Sequence, residues 1–182
     1  GCGKSAHKKK EEAPSTTPSN PLEGVWATEC KASPAILQAL AAGQIKSTSK
    51  KIEIKGNTMT HSKLYYLDET CAVAIGVMAQ EATYAEGEAL PNGQNAKALD
   101  IDIQKTNFMV TTEEAAKVFN DLKICGLEGW ATNQPMDITG KECIFGKVPP
   151  AATTHYTAFK LENNAIYLSD FDCSEGETGC RT

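Results

Sequence analysis

The sequence predicts a mostly β domain, an antiparallel eight-stranded up-and-down barrel that carries two short helices and is braced by disulfides. Eight short segments have the alternation or the β-branched and aromatic content that is typical of strands. Most of them are neighbours along the chain and are joined by short turns, which favours an antiparallel meander closed into a barrel. Six cysteines fall in the same region without a C-x-x-C spacing. A β-sandwich is the alternative fold.

The first strands follow one another closely. Residues 22–30 (LEGVWATEC) alternate and form the first strand candidate. Residues 44–55 form the second, and the Gly56-Asn57 turn leads from it into the third, residues 58–67. This arrangement predicts that the second and third strands pair as a hairpin.

Two helices are predicted from their end signals. Residues 34–42 have Ser33 as an N-cap and Gly43 as a C-terminal stop. A capping box of Thr111 with Glu114 opens the second helix. Both helices are short and interrupt the series of strands.

The later strands complete the predicted barrel. Residues 99–103 alternate aliphatic side chains with aspartates, which predicts a strand with one buried and one solvated face. Residues 87–96 form a loop, and Asn163-Asn164 makes a tight turn between the last two strands. The other strand candidates are residues 72–86, 136–145, 155–161 and 165–171.

Length and charge limit the function classes. A chain of 182 residues is long enough for one domain with a real core. No run of about 18 apolar residues occurs, so no transmembrane helix is expected. The net charge is −5, and residues 22–182 contribute −7 of it because the first 21 residues carry four lysines and two glutamates. An acidic domain repels phosphate backbones, and we therefore expect no nucleic-acid partner.

The first 21 residues differ in composition from the rest. They contain three prolines and almost no large apolar side chains, which predicts a disordered tether before a barrel domain of residues 22–182. Gly1-Cys2 resembles the end of a lipobox, in which the cysteine becomes lipidated. This resemblance implies a lipid on Cys2 and a place in the bacterial cell envelope. Gly3, in place of the aspartate of inner-membrane retention, favours the outer membrane.

The cysteines indicate an oxidising compartment. Besides Cys2, the chain has an even set of six, which reads as a disulfide framework. Six cysteines allow 15 pairings, and their spacing alone leaves the choice open. The six are Cys30, Cys71, Cys125, Cys143, Cys173 and Cys180.

Several segments together resemble a known group of proteins. The first strand contains Gly24-x-Trp26, and in lipocalins the tryptophan of such a motif plugs the closed end of the barrel. The segments LEGVWATEC, KKIEIKGNTMTHSKLYYLDETC, CGLEGW and DITGKEC resemble secreted bacterial lipoproteins with a lipocalin-like barrel. These in turn are similar to the extracellular domain of the Wnt inhibitor that is down-regulated by adenomatous polyposis coli. The resemblance covers most of residues 22–170.

The resemblance also implies a disulfide pairing. It joins Cys30 to Cys71 and Cys125 to Cys143. Cys173 and Cys180 then remain to pair with each other. Gly24 and Trp26 take a structural role in the first strand.

No catalytic motif is present. The three histidines are too scattered for a standard zinc site, and no phosphate-binding glycine loop or serine-hydrolase motif occurs. The acidic segment 170–181 departs from a calcium loop at Glu175 and Arg181. With the domain cysteines in disulfides, no thiol nucleophile remains. We therefore expect no enzyme activity, no cofactor and no metal site.

The predicted function is binding inside the barrel. The ligand would be a lipid or another small hydrophobic molecule in an apolar cavity. The alternative is a protein-interaction module for adhesion, inhibition or envelope assembly, which would use loops 87–96 and 125–135 with Trp130 exposed near the tip. The candidate ligand contacts are bulky, adaptable or polar-tipped side chains. They are Met59, Tyr65, Met78, Tyr84, Phe108 and Phe159.

Overall fold

The computed structural model describes residues 5–9, 20–33, 44–91 and 95–168. These residues form twelve strands, one α-helix and one 3-10 helix. The first seven strands are β1 (Ser5–Lys9), β2 (Gly24–Ala27), β3 (Lys31–Ala32), β4 (Ser47–Lys55), β5 (Thr58–Tyr66), β6 (Ala74–Ala89) and β7 (Lys97–Val110). They are followed by α1 (Glu113–Asp121), the 3-10 helix (Ile124–Gly126), β8 (Met136–Asp137), β9 (Glu142–Cys143), β10 (Gly146–Lys147), β11 (Thr153–Glu162) and β12 (Ala165–Leu168).

Eight of these strands close into an antiparallel barrel, which confirms the predicted fold class. Around the barrel the order is β1, β2, β4, β5, β6, β7, β11 and β12, the order of the chain itself. The β7–β11 pairing, with Ile103 opposite Thr153 and Lys97 opposite Phe159, joins the two halves of the sheet. The β12–β1 pairing completes the closure. This is an up-and-down barrel, since each strand pairs with its neighbours in sequence.

The N-terminal segment supplies one of the eight strands. β1 lies between β12 and β2, with Ser5 opposite Leu168 and Lys9 opposite Trp26. The prediction that the chain is a disordered tether from its first residue is therefore wrong for residues 5–9. The composition rule weighs apolar side chains, whereas β1 is held by backbone pairing on both sides and buries an imidazole, His7. Residues 1–4 and 10–19 lie outside the described residues.

The predicted strand over residues 136–145 is wrong. Only Met136–Asp137 pairs with the barrel, at the end of β7, and Glu142–Cys143 pairs instead with Gly146–Lys147. The Asp137 carboxylate accepts hydrogen bonds from the backbone N–H and the hydroxyl of Thr139, which turns the chain. Gly140 follows with a φ of +70°, so the segment cannot continue as a strand.

The second helix begins one residue later than predicted. Thr112 is its N-cap, and the Thr112 hydroxyl accepts a hydrogen bond from the Ala115 N–H at 3.1 Å. The Thr111 hydroxyl donates to the Ala74 carbonyl instead and ties the start of the helix to β6. The predicted first helix, residues 34–42, lies outside the described residues.

The apolar side chains form two main clusters, which we name after their tryptophans. The alternation predicted for residues 99–103 is confirmed, since Leu99, Ile101 and Ile103 are buried. The Trp26 cluster contains Leu22, Trp26, Ile52, Ile54, Met59, Ala82, Leu99, Ile101, Ile103, Phe159, Ile166 and Leu168. The Trp130 cluster is built around Tyr65, Phe108, Val110, Ala116, Ile124, Cys125, Trp130, Ile138 and Val148.

Two disulfides brace the end of the barrel that carries α1. One joins Cys30 to Cys71, 41 residues apart, and the other joins Cys125 to Cys143, 18 residues apart. Both pairs are those implied by the resemblance. Chain-entropy arguments give them upper limits of about 4 and about 3 kcal/mol of stabilisation. Cys2, Cys173 and Cys180 lie outside the described residues. In the described part of the chain, no helix is long and apolar enough to cross a bilayer.

Candidate ligand-binding interior

A polar layer separates the two apolar clusters inside the barrel. On β5, His61 and Lys63 share a face with Met59 of the Trp26 cluster and Tyr65 of the Trp130 cluster, because side chains two residues apart point to the same side. On β4, Lys50 shares a face with Ile52 and Ile54. The strand register sets Lys50 opposite Lys63 and Ile52 opposite His61.

The outer face of β4 carries a solvent-exposed ion pair, in contrast to the inner face that carries Lys50. Lys51 and Glu53 alternate with the interior residues and form an ion pair of 3.3 Å in which the two side chains are 36% and 52% exposed. Lys50 comes directly before Lys51 in the chain and therefore points to the other side of the sheet. The lysines of this strand therefore occupy two different environments.

His7 brings β1 into the same layer. Its side chain is 1% exposed, and its ring meets the ring of His61 edge-on with the centroids 6.4 Å apart. Neither ring nitrogen of His7 has a hydrogen-bond partner among the described residues. We call His7, Lys50, His61 and Lys63 the basic belt.

The belt continues onto β6 and β7 as uncharged polar groups. Gln80 stands opposite His61, and Thr106 stands opposite Gln80. Thr106 is fully buried, and its hydroxyl has no hydrogen-bond partner in the described part of the chain. Buried polar groups are usually satisfied, which makes this layer unusual for a packed core.

Burial and nearby positive charges lower the pKa values of His7, His61 and Lys63. Burial, with Lys50 and Lys31, lowers the pKa of His7 to about 4. Burial, with Lys50, His7 and Lys63, lowers the pKa of His61 to about 3. Burial and Lys50 also lower the pKa of Lys63. In each case the interacting groups are basic, so the layer disfavours positive charge, and no carboxylate of the described residues offsets it.

The lysines of the belt have no anionic partner among the described residues. The ion pairs there involve other lysines and lie on the surface. Lys63 places its ammonium group 5.6 Å from the centre of the Tyr65 ring, a cation–π contact. This contact offsets part of the desolvation of one lysine.

The six predicted ligand contacts are interior residues, but the structure does not bring them together. Three belong to or pack against the Trp26 cluster, and three belong to or pack against the Trp130 cluster, with the basic belt between them. The first three are Met59, Tyr84 and Phe159, and the second three are Tyr65, Met78 and Phe108.

The hydroxyl groups of the two tyrosines among the six, Tyr84 and Tyr65, have different surroundings. The Tyr84 hydroxyl donates to the Gly56 carbonyl at 2.7 Å and accepts from the Asn20 side chain at 2.7 Å, which fastens residues 20–22 to the β4–β5 turn. Burial raises the pKa of Tyr65 to about 12. A ligand that touches Tyr84 would meet a side chain whose polar end is already engaged.

Phe108 is the centre of the aromatic side chains at the α1 end. Its ring lies 5.2 Å from Phe119, 5.9 Å from Phe145 and 6.0 Å from Tyr65, measured between centroids. Gly76 on β6 makes room for it, since a Cβ at Gly76 would stand 2.8 Å from Phe108 Cζ. The glycine is therefore required by close approach of an aromatic ring.

The predicted exposure of Trp130 is wrong. Its side chain is 3% exposed and packs edge-on against Phe119 with the centroids 5.0 Å apart. The Asn120 side chain donates to the Trp130 carbonyl and accepts from the Trp130 N–H, each at 2.8 Å. The Cys125–Cys143 disulfide joins the same loop to β9. Sequence position in a loop suggested exposure, but the loop folds inward and covers the barrel end.

The Gly24-x-Trp26 motif lies where the Trp26 cluster meets the start of β2. Trp26 is 2% exposed, and its indole N–H donates to the Leu22 carbonyl at 2.8 Å. Gly24 has a φ of +133°, a conformation that side chains disfavour. The backbone conformation therefore favours glycine at position 24, and burial with the indole hydrogen bond favours tryptophan at position 26.

The basic belt was not predicted from the sequence. Lys50 is in phase with Ile52 and Ile54, and Lys63 is in phase with Met59, so the two-residue period contained a usable signal. No such signal marks His7 in the sequence, because β1 has no apolar alternation. Among the described residues, no three His, Cys, Asp or Glu side chains form a group that could hold a metal ion.

The barrel interior is the main evidence on function, because comparisons with known proteins identify no family for this chain. No protein-family model matches the chain, and a search of curated proteins finds no match either. The resemblance to lipocalin-like lipoproteins stays an expectation from the sequence segments.

Proposed function

We propose that this protein is a non-enzymatic binding protein that holds a lipid or another small hydrophobic molecule inside its barrel. The observation that carries the proposal is the polar layer between two apolar clusters, with both nitrogens of buried His7 lacking a hydrogen-bond partner among the described residues. Unpaired buried polar groups destabilise a purely structural core. Their retention is explained if a bound molecule supplies the missing contacts.

The six predicted contacts fit an elongated ligand. They lie on both sides of the belt, so one chain-like molecule would touch members of both clusters. Met59 and Met78 lie among these contacts, and methionine side chains repack with little loss. A ligand would replace packing contacts within the interior.

We propose that a lipid on Cys2 anchors the protein in the bacterial cell envelope, with Gly3 favouring the outer membrane. Cys2 precedes the first residue of β1 by three positions. Three residues reach about 10 Å at full extension. An anchor at this position would keep the barrel wall close to the head groups, in contrast to the long tether expected from composition.

A protein-interaction role is the second candidate, and a specific surface favours it. Val118 and Leu122 stand one helical turn apart at α1, 43% and 61% exposed. Ile144, at the turn between β9 and β10, is 64% exposed. With Trp130 buried, these side chains replace the loop tip as the apolar surface for adhesion, inhibition or envelope assembly.

Native mass spectrometry of the complete chain, purified from the envelope of its own host, tests the binding function. We expect a reproducible added mass that is lost on denaturation and that fragments as a lipid or similar amphiphile. A bare mass in repeated preparations would contradict the proposal and favour the interaction role. Residues 1–21 must be kept, because β1 is part of the barrel.

A Cys2→Ser variant separates the anchor from the binding. We expect this variant to leave the membrane fraction while it keeps the ligand mass. If the Cys2→Ser variant and the unmodified chain fractionate alike, the anchor proposal is wrong, whatever the interior holds.

A further inference from the structure

We propose that the basic belt binds the anionic head group, a carboxylate or a phosphate, of an acyl amphiphile held inside the barrel. The inference rests on the proposed ligand-binding function and names the chemistry of its ligand. Lys50 and Lys63 would provide the charge, and His7 and His61 would provide ring N–H donors.

The belt contains a directly opposed pair of like charges. Lys50 and Lys63 stand directly opposite each other on the same face of β4 and β5. Like charges in directly opposed positions destabilise a sheet, and reduced exposure to water increases their repulsion. A bound anion between them would turn the repulsion into two favourable contacts.

Two buried polar side chains in the same layer as these lysines lack hydrogen-bond partners among the described residues. His7 is 1% exposed, and both of its nitrogens lack a partner among the described residues. The hydroxyl of buried Thr106 on β7 also lacks a hydrogen-bond partner among the described residues. Thr106 stands opposite Gln80 of β6. Anionic oxygens accept several hydrogen bonds at once, which matches the lysine ammonium groups, a ring N–H of His7 and the Thr106 hydroxyl.

The acidic residues that form ion pairs lie outside the belt. Glu53 on β4 pairs with Lys51 on the outer face, and Glu29 pairs with Lys8 on the surface. No described carboxylate forms an ion pair with Lys50 or Lys63. The chain is acidic overall at −5, so a group of interior lysines and histidines that has no ion pair with a described carboxylate is a specific arrangement.

The apolar clusters decide between an amphiphile and a free anion. The belt is flanked by Ile52 and Met59 on one side and by Tyr65 and Met78 on the other. A head group at the belt therefore leaves an attached acyl chain against aliphatic and aromatic side chains, where its burial is favourable. An inorganic anion would use the lysines and leave these surfaces unused.

The test measures displacement of a fluorescent fatty acid from the complete chain by palmitate, methyl palmitate, lysophosphatidate and inorganic phosphate. Methyl palmitate keeps the acyl chain and removes the charge. We expect palmitate or lysophosphatidate to bind at least ten times more tightly than methyl palmitate, and inorganic phosphate not to compete. The stronger of the two anionic amphiphiles identifies the head group.

The variants Lys50→Gln and Lys63→Gln should each weaken the anionic amphiphile about tenfold and leave methyl palmitate unchanged. Lys51→Gln is the matched control, because it removes an outward-facing charge from the same strand. If a belt variant does not fold, the ratio of acid to ester affinity in the unmodified chain still decides.

The outcomes distinguish the two proposals. Equal affinity for palmitate and its methyl ester would leave the ligand-binding function in place and overturn the anionic head group. Binding of inorganic phosphate as tight as that of palmitate would overturn the amphiphile. If no amphiphile displaces the probe or if the probe itself does not bind, the ligand-binding function fails, and the inference fails with it.

Discussion

His7 on β1 meets His61 on β5 edge to ring at a centroid distance of 6.4 Å, although β2 and β4 stand between their strands in the sheet. The contact therefore passes through the barrel interior and not along its wall. It shows that the N-terminal strand contributes to the centre of the molecule as well as to its closure.

The buried histidines should make the protein sensitive to acid. The folded pKa values of His7 and His61, about 4 and about 3, lie below the usual 6.5, so between about pH 6.5 and pH 4 the unfolded chain binds more protons than the folded chain. The free energy of unfolding should therefore fall as the pH is lowered through this window, and should not depend on these groups above pH 7. The expected loss by pH 4.5 is on the order of 2 kcal/mol for His7 alone. Urea unfolding at pH 7.5 and pH 4.5 measures it.

A His61→Gln variant tests the source of this acid loss. Glutamine keeps a polar side chain in the belt and cannot gain the proton. We expect its free energy of unfolding to fall less between pH 7.5 and pH 4.5 than that of the unmodified chain. Equal losses in the two proteins would show that the acid sensitivity arises elsewhere.

A proline in β1 should destabilise the barrel. Ala6 lies in the middle of β1 and pairs with Tyr167 of β12. Ala6→Pro removes a backbone donor from a strand that has neighbours on both sides, and we expect a loss on the order of 3 kcal/mol in chemical unfolding. Ala6→Val is the control, since valine favours strands and keeps the donor. Equal stability of the two variants would argue against β1 as a barrel strand.

The two disulfides should differ in their contribution. Replacing Cys30 and Cys71 by alanine opens the longer loop, and replacing Cys125 and Cys143 opens the shorter one. We expect losses of up to about 4 and about 3 kcal/mol in urea unfolding under non-reducing conditions. The unmodified chain in reducing buffer should lose more than either double variant. A stability independent of reductant would contradict the bracing role.

Gly76 should tolerate no side chain while Phe108 is present. Gly76→Ala places a Cβ 2.8 Å from Phe108 Cζ, so we expect a loss on the order of 1 to 3 kcal/mol in thermal or urea unfolding. Gly76→Ala combined with Phe108→Leu should lose less than the sum of the two single changes, because the smaller side chain relieves the clash. Additive losses would mean that the contact is not the cause.

The sequence predicted the elements whose signals are local. The alternation around Ile101 and the Gly56-Asn57 turn indicated strands that the barrel contains, since a two-residue period and a turn act within a few residues. β1 gave no such signal, because its pairing with β12 joins opposite ends of the chain. The sixth strand candidate, residues 136–145, was wrong because the side-chain hydrogen bonds of Asp137 turn the chain in spite of its strand-like composition.

The candidate site was predictable in part. Bulky side chains such as Met59 and Phe159 were identified as interior residues by their size and position. The belt was missed because lysine usually stays on the surface, and its burial here depends on strands that come together only in the closed barrel. Trp130 was misplaced for a related reason, since the Asn120 contacts that hold it inward are tertiary.

Because β12 and β2 both pair with β1, detachment of these five residues would leave two edge strands facing each other across a slot about 10 Å wide. An unpaired edge accepts any extended backbone of suitable length, including the corresponding segment of another molecule. The barrel wall thus contains a seam at which strand exchange between copies would keep every hydrogen bond while it joins two molecules.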